Sequence, residues 1–203
     1  MADILIDNQS APTTPTAGKS ILWVDATTKK YAQTDDTGHR FGTLSRNWST
    51  ASQGAGFAAD TYITNSGILI PSFGMEVGQL YRWTISLSKT AAGVATPILQ
   101  VRTGPNQTTA DTSRITLTGQ AATAAVSGGL LIATCFVRTV SASGVLVASF
   151  GFASGILGLG GGIDGVSGTF DNTTMAGLYV GLSYNGGAAA SITVTSVNAE
   201  LIG

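Results

Sequence analysis

At 203 residues the chain has room for one domain and an arm, with 43% hydrophobic but only 10% charged residues, against about 25% charged in an ordinary globular domain. The formal net charge is -1, from 10 basic and 11 acidic side chains with neither sign clustered, which leaves no basic stripe for nucleic-acid phosphates and excludes a nucleic-acid partner. A single cysteine and a single histidine exclude an intramolecular disulfide and a multi-cysteine zinc site, and no cofactor is implied.

Residues 1 to 17 read as an extended N-terminal arm. Ala11-Pro12-Thr13-Thr14-Pro15-Thr16 favours extended or polyproline backbone, because each proline fixes its own φ and restricts its predecessor. Met1 to Asp7 carries acidic residues where a secretory signal needs basic ones, so no signal peptide is expected. Residues 18 to 42 predict a small β-hairpin with a polar face. Ile21-Leu22-Trp23-Val24 ends on Asp25 and a turn, followed by Lys29-Lys30-Tyr31, the acidic turn Asp35-Asp36-Thr37-Gly38 and His39-Arg40-Phe41. A hairpin this short holds no core of its own, so Trp23 is expected to pack it against a partner. Thr43 to Gly56 reads as a connector, which makes residues 18 to 57 one hairpin-and-connector module. Trp48 falls in that connector. Packing against the sandwich or a neighbouring subunit is its simpler reading, and a carbohydrate-stacking platform the sharper one.

Residues 58 to 203 read as strands separated by turns. Tyr81, Trp83, Ile85 and Leu87 alternate with Arg82, Thr84, Ser86 and Ser88, the period of a half-buried strand. Shorter runs of the same kind are Thr61 to Ile70, Ile98 to Thr103 and Arg114 to Thr118. Leu130 to Thr139 and Val145 to Phe152 flank Ser141-Ala142-Ser143-Gly144, a tight hairpin connection, and Cys135 sits in the first of them as a buried small residue. Leu178 to Tyr184 and Ser191 to Val197 flank Asn185-Gly186-Gly187, a strong hairpin signal. The spacing predicts an all-β fold: an antiparallel β-sandwich, jelly-roll-like, preceded by the arm and the hairpin module, with immunoglobulin-like and other sandwich topologies as alternatives because spacing does not give strand order.

The chain lacks G-x-S-x-G, H-E-x-x-H and P-loop motifs, and its titratable inventory is too thin for an enzyme. Asp164 and Asp171 could be imagined as a carboxylate pair, but loop solvation explains them more simply. The Gly-rich run Phe150 to Gly168 is broken by glycines and by Asp164, so it is no membrane helix and no membrane insertion is expected. Exposed, its Ile156, Leu157 and Leu159 would invite aggregation; an interface between identical subunits would bury them, and so would packing across one end of the sandwich.

Two blocks carry a family resemblance. Pro12 to Gly42, PTTPTAGKSILWVDATTKKYAQTDDTGHRFG, resembles the P-x-x-P-x-x-G-K…L-x-V-D…K-K…D-D-T-G segment near the start of many bacteriophage virion proteins. Tyr81 to Gly93, with Val101-Arg102-Thr103-Gly104 and Thr108-Thr109-Ala110-Asp111-Thr112, is similar to the β-sandwich domain of phage structural proteins. The resemblance implies a non-enzymatic virion protein, made in the host cytoplasm and carried on the head surface as a decoration or fibre protein. The alternative it implies is a tail-fibre, receptor-binding subunit. It further implies a homotrimer with Ile156, Leu157 and Leu159 at its interface, docked on the major capsid protein or another virion protein through Ile21, Trp23, Lys29, Lys30, Tyr31, Asp35 and Asp36. In the alternative, a host-surface receptor or glycan is the partner.

Overall fold

The computed structural model describes residues 8–9, 13–27, 31–34, 40–41, 43–54, 57–89, 95–119, 128–152, 163–187 and 192–203. Four short strands come first and lie side by side in chain order: β1 (Asn8–Gln9), β2 (Ile21–Asp25), β3 (Tyr31–Thr34) and β4 (Arg40–Phe41). The expected hairpin is there, with Trp23 opposite Ala32. β1 runs parallel to β2, so at Asn8–Gln9 the arm lies along the hairpin.

The sandwich follows as β5 (Thr43–Ser49), β6 (Thr61–Tyr62), β7 (Ile68–Leu69), β8 (Leu80–Lys89), β9 (Ile98–Gly104), β10 (Thr112–Thr118), β11 (Gly128–Thr139), β12 (Gly144–Phe152), β13 (Ile163–Phe170), β14 (Tyr179–Asn185) and β15 (Ile192–Ile202). One sheet has six strands in the order β13-β12-β11-β8-β15-β5, and the facing sheet has the order β10-β9-β14-β6, with β7 also on β14. β8 pairs with β15 in the first sheet, and their chain neighbours β9 and β14 pair in the second. A two-stranded ribbon therefore wraps from one sheet to the other, which is the jelly-roll element, while β11, β12 and β13 stay together as a meander. The fold is an all-β sandwich, as the alternation predicts.

The core lies between the sheets. Tyr81, Trp83, Ile85 and Leu87 point inward with Leu131, Ala133, Cys135, Val137, Val197, Ala199 and Leu201 against Leu99, Val101, Ile115, Leu117, Val180, Leu182 and Tyr184 of the other sheet. Trp83 is fully buried and satisfies its indole N–H on the Ser66 carbonyl at 2.7 Å. At one margin the sheets nearly touch: a Cβ on Gly168 of β13 would stand 2.0 Å from the Arg114 carbonyl oxygen of β10, so only glycine fits there.

Several expectations are corrected by pairing that a single strand cannot reveal. The Asn185-Gly186-Gly187 turn does not close a hairpin, because β14 belongs to the five-stranded sheet and β15 to the six-stranded one. Asn185 instead caps the crossing with its side chain, accepting from Gly187 N at 2.9 Å. Thr43 to Gly56 is not wholly a connector, since β5 pairs with β15 along its length. Thr61 to Ile70 is two short strands parted by a turn in which Asn65 has a φ of 64°. The Gly-rich run hides β13, held to β12 by backbone bonds that need no apolar side chains. Ile156, Leu157 and Leu159, predicted at a subunit interface, lie outside the described residues.

Candidate functional site

The hairpin is fastened to its own sandwich by two residues of β2. The Trp23 indole is fully buried, donates to Thr34 Oγ1 at 3.0 Å and meets Phe73 edge-on at 6.0 Å. The Asp25 carboxylate accepts from Thr27 N at 2.9 Å and, through its other oxygen, from the Ser72 amide at 3.2 Å and hydroxyl at 2.5 Å. Trp23 is thus corrected from a partner contact to an internal one. The hairpin is too small to bury an indole alone, as expected, but the 71–74 turn of the same chain supplies the missing wall. Ile21 is half-buried against the core. Tyr31 is 64% exposed and shares the other face of the hairpin with Leu22, so it alone of the described attachment candidates is open. Lys29, Lys30, Asp35 and Asp36 lie outside the described residues.

The densest polar cluster covers the outer face of the five-stranded sheet. Arg102, on β9, is buried there and uses all its N–H groups. Nε donates to Ser183 Oγ at 2.8 Å, Nη1 to the Thr109 and Asp111 carbonyls at 2.9 and 2.7 Å, and Nη2 to Gln100 Oε1 at 2.5 Å and to the Asp60 carboxylate. A guanidinium offers five N–H donors in a fixed fork, and each is occupied. Asp111 accepts three bonds from the same loop, one oxygen taking the Asn106 amide and side chain and the other the Gln107 amide at 2.8 Å. Tyr62 lies over Gly181 so closely that a Cβ there would collide with its hydroxyl, and burial pushes the phenol up to about 12. In this network every guanidinium N–H is bonded within the chain, the buried Tyr62 hydroxyl has no hydrogen-bond partner among the described residues, and the bonds of Arg102 and Asp111 hold the 105–111 loop.

Two further titratable groups, Cys135 and Asp171, lie apart from this cluster. Burial raises the Cys135 thiol to about 12, so it is no nucleophile at neutral pH. The exposed Asp171 caps a short 3-10 turn (Asn172–Thr174), accepting from the Thr173 hydroxyl and amide, and those bonds hold its carboxyl below the usual range. The side chain of Asp164 lies outside what is described, and among the described residues no three His, Cys, Asp or Glu gather as metal ligands.

The outer face of the six-stranded sheet, by contrast, leaves large side chains exposed. Its cross-strand rows can be read from the register. One row runs Trp48–Asn198–Thr84–Ile132 and the next Arg46–Glu200–Arg82–Thr134. A third runs Ile202–Leu80–Phe136–Val147. Trp48 is 64% exposed and Phe136 45%. Trp48 was misplaced as a connector residue because β5 alternates Ser45, Asn47 and Ser49 against Arg46 and Trp48. That is a period of two, but one without an apolar inner side.

No protein-family model matches this sequence, and no curated protein matches it significantly.

Proposed function

We propose that this is a non-enzymatic bacteriophage virion structural protein, carried on the head surface as a decoration or fibre protein. The observation that carries the reading is the fate of the motif residues. Asp25, Arg102 and Asp111 belong to the two blocks that resemble virion proteins, and the bonds of each hold a turn or loop in place. Residues that fix a scaffold suit a structural protein, whereas a catalytic group needs a free donor, acceptor or proton. The exposed large side chains of the six-stranded face and the sparse charge support a life in contact with other chains, since few charges need desolvating there.

In this reading Tyr31 and the neighbouring Lys29, Lys30, Asp35 and Asp36 face the capsid, and Ile156, Leu157 and Leu159 meet at a three-fold axis. Gold-labelled antibody on intact virions is the test, with light scattering on the purified protein for the subunit count. Label on heads and a trimer mass are expected. Label confined to tails would replace the reading by that of a tail-fibre subunit, and unlabelled virions would overturn both.

A further inference from the structure

Trp48 is the exposed indole of this molecule; Trp23 and Trp83 are fully buried. Its setting is held from several sides. Asn47 accepts from the Trp48 amide at 2.9 Å and donates to the Gly67 carbonyl at 3.0 Å, which fixes the backbone of the edge strand. Beside it, Arg46 clasps Asn198 Oδ1 with Nε and Nη2 at 3.1 and 3.0 Å. Arg82 clasps Glu200 Oε1 with the same two nitrogens at 2.9 and 2.6 Å. The register puts Asn198 opposite Trp48 and Glu200 opposite both Arg46 and Arg82. The result is an open aromatic face bordered by planar polar side chains whose orientations are already set.

We propose that this platform binds a pyranose bearing a carboxylate, with the ring's C–H face on Trp48 and the carboxylate on Arg46. An exposed indole with an apolar face and, among the described residues, no partner ring suits a sugar's C–H face. Planar guanidinium, amide and carboxylate groups suit paired ring hydroxyls, which need donors and acceptors side by side. Charge chooses the acidic sugar. Arg82 is neutralised by Glu200, but the bonds of Arg46 go to a neutral amide, so the patch keeps one positive charge with guanidinium capacity to spare. Preorganisation matters here, because long side chains already held in place lose little entropy when a ligand arrives. The apolar row through Phe136 is separated from Trp48 by the polar row of Arg82, and Asn198 and Thr84 stand between Trp48 and Ile132 in its own row.

The site is independent of where on a virion the protein sits, and its test uses purified protein. Immobilised oligosaccharides containing uronic or sialic acids are set beside their neutral counterparts and probed with the wild type, Trp48→Ala, Arg46→Gln and, as a control, Val77→Ala at another exposed apolar position. At least tenfold preference for some acidic member is expected, lost in Trp48→Ala and reduced to neutral-sugar levels in Arg46→Gln, with Val77→Ala unchanged. Unaltered thermal melts establish that the variants are folded. Retention of no acidic saccharide, equal retention of the neutral set, or unchanged binding by Trp48→Ala or Arg46→Gln would each overturn the proposal.

Discussion

The two outer faces of the sandwich carry the same kind of residue to opposite ends. On the five-stranded sheet Arg102 is buried under the 105–111 loop and Asp60, and every N–H it owns is bonded. On the six-stranded sheet Arg82 is 44% exposed and grips a single carboxylate oxygen. The difference lies in what crosses above the strands. Loops roof one sheet and consume its polar groups in holding themselves down, while the other sheet has no such roof among the described residues. One face is spent on stability, and the other is free to meet something else.

Replacing each arginine by alanine should break that comparison open. Arg102→Ala leaves Asp60, Gln100, Ser183 and two carbonyls without their donor and is expected to cost about 3 kcal/mol, since removing one partner of a buried pair strands the others. Arg82→Ala, in an exposed pair, should cost less than about 1 kcal/mol. Equal losses in urea melts would mean that the two faces do not differ as described.

The tryptophans sharpen the contrast between a docked hairpin and an open strand. Trp23→Ala removes a buried indole and its bond to Thr34, and about 3 kcal/mol or more should be lost if the hairpin folds as one unit with the sandwich. Trp48→Ala should change stability by no more than about 0.5 kcal/mol. A hairpin that melts separately, leaving the sandwich midpoint unmoved in Trp23→Ala, would show that the docking contacts at Phe73 and Ser72 contribute little.

The smallest expected effect probes the layer between the faces. The Cys135 thiol, ordinarily near 9.0, is raised to about 12 by burial in the folded chain. Only the unfolded chain ionises it between those values, so stability is full below pH 9 and falls as pH rises toward 12. From pH 9 to 10 this loss amounts to about 1 kcal/mol. Cys135→Ala should flatten that slope until the buried tyrosines Tyr62, Tyr81 and Tyr184, all raised by burial, take over above pH 10. Parallel slopes of urea midpoint against pH in the two proteins would refute a buried thiol.

What could be read from the sequence follows from how local each decision was. The alternation of β8 and the hairpin of β11 with β12 are written in neighbouring residues, and both were legible. β13 was not, because its Gly-rich strand is chosen by β12 alongside and β10 beneath, where Gly168 must carry no side chain. Asn185-Gly186 misled because its turn chemistry is real but β9 and β8 claim the flanking strands for different sheets. The candidate site divided the same way. Trp48 could be named as a possible platform, yet its companions Asn198 and Arg82 come from distant segments that only the β5–β15–β8 register assembles. Trp23 was placed against the wrong surface because nothing near it foretells Phe73.

The position of β15 has a consequence for the order of events in folding. This last strand lies inside the six-stranded sheet, between β8 and β5, and Arg82 and Glu200, which it brings together, are 118 positions apart. Until residues 192–202 have left the ribosome, β5 lacks its partner and β8 lacks one of its two. A nascent chain therefore holds two open strand edges from the emergence of β8 until that of β15. Closing so long a loop also slows folding relative to chains built from local contacts. The sparse charge of the chain gives little protection to those edges, and the interval before β15 arrives is when the chain is most exposed to wrong pairing.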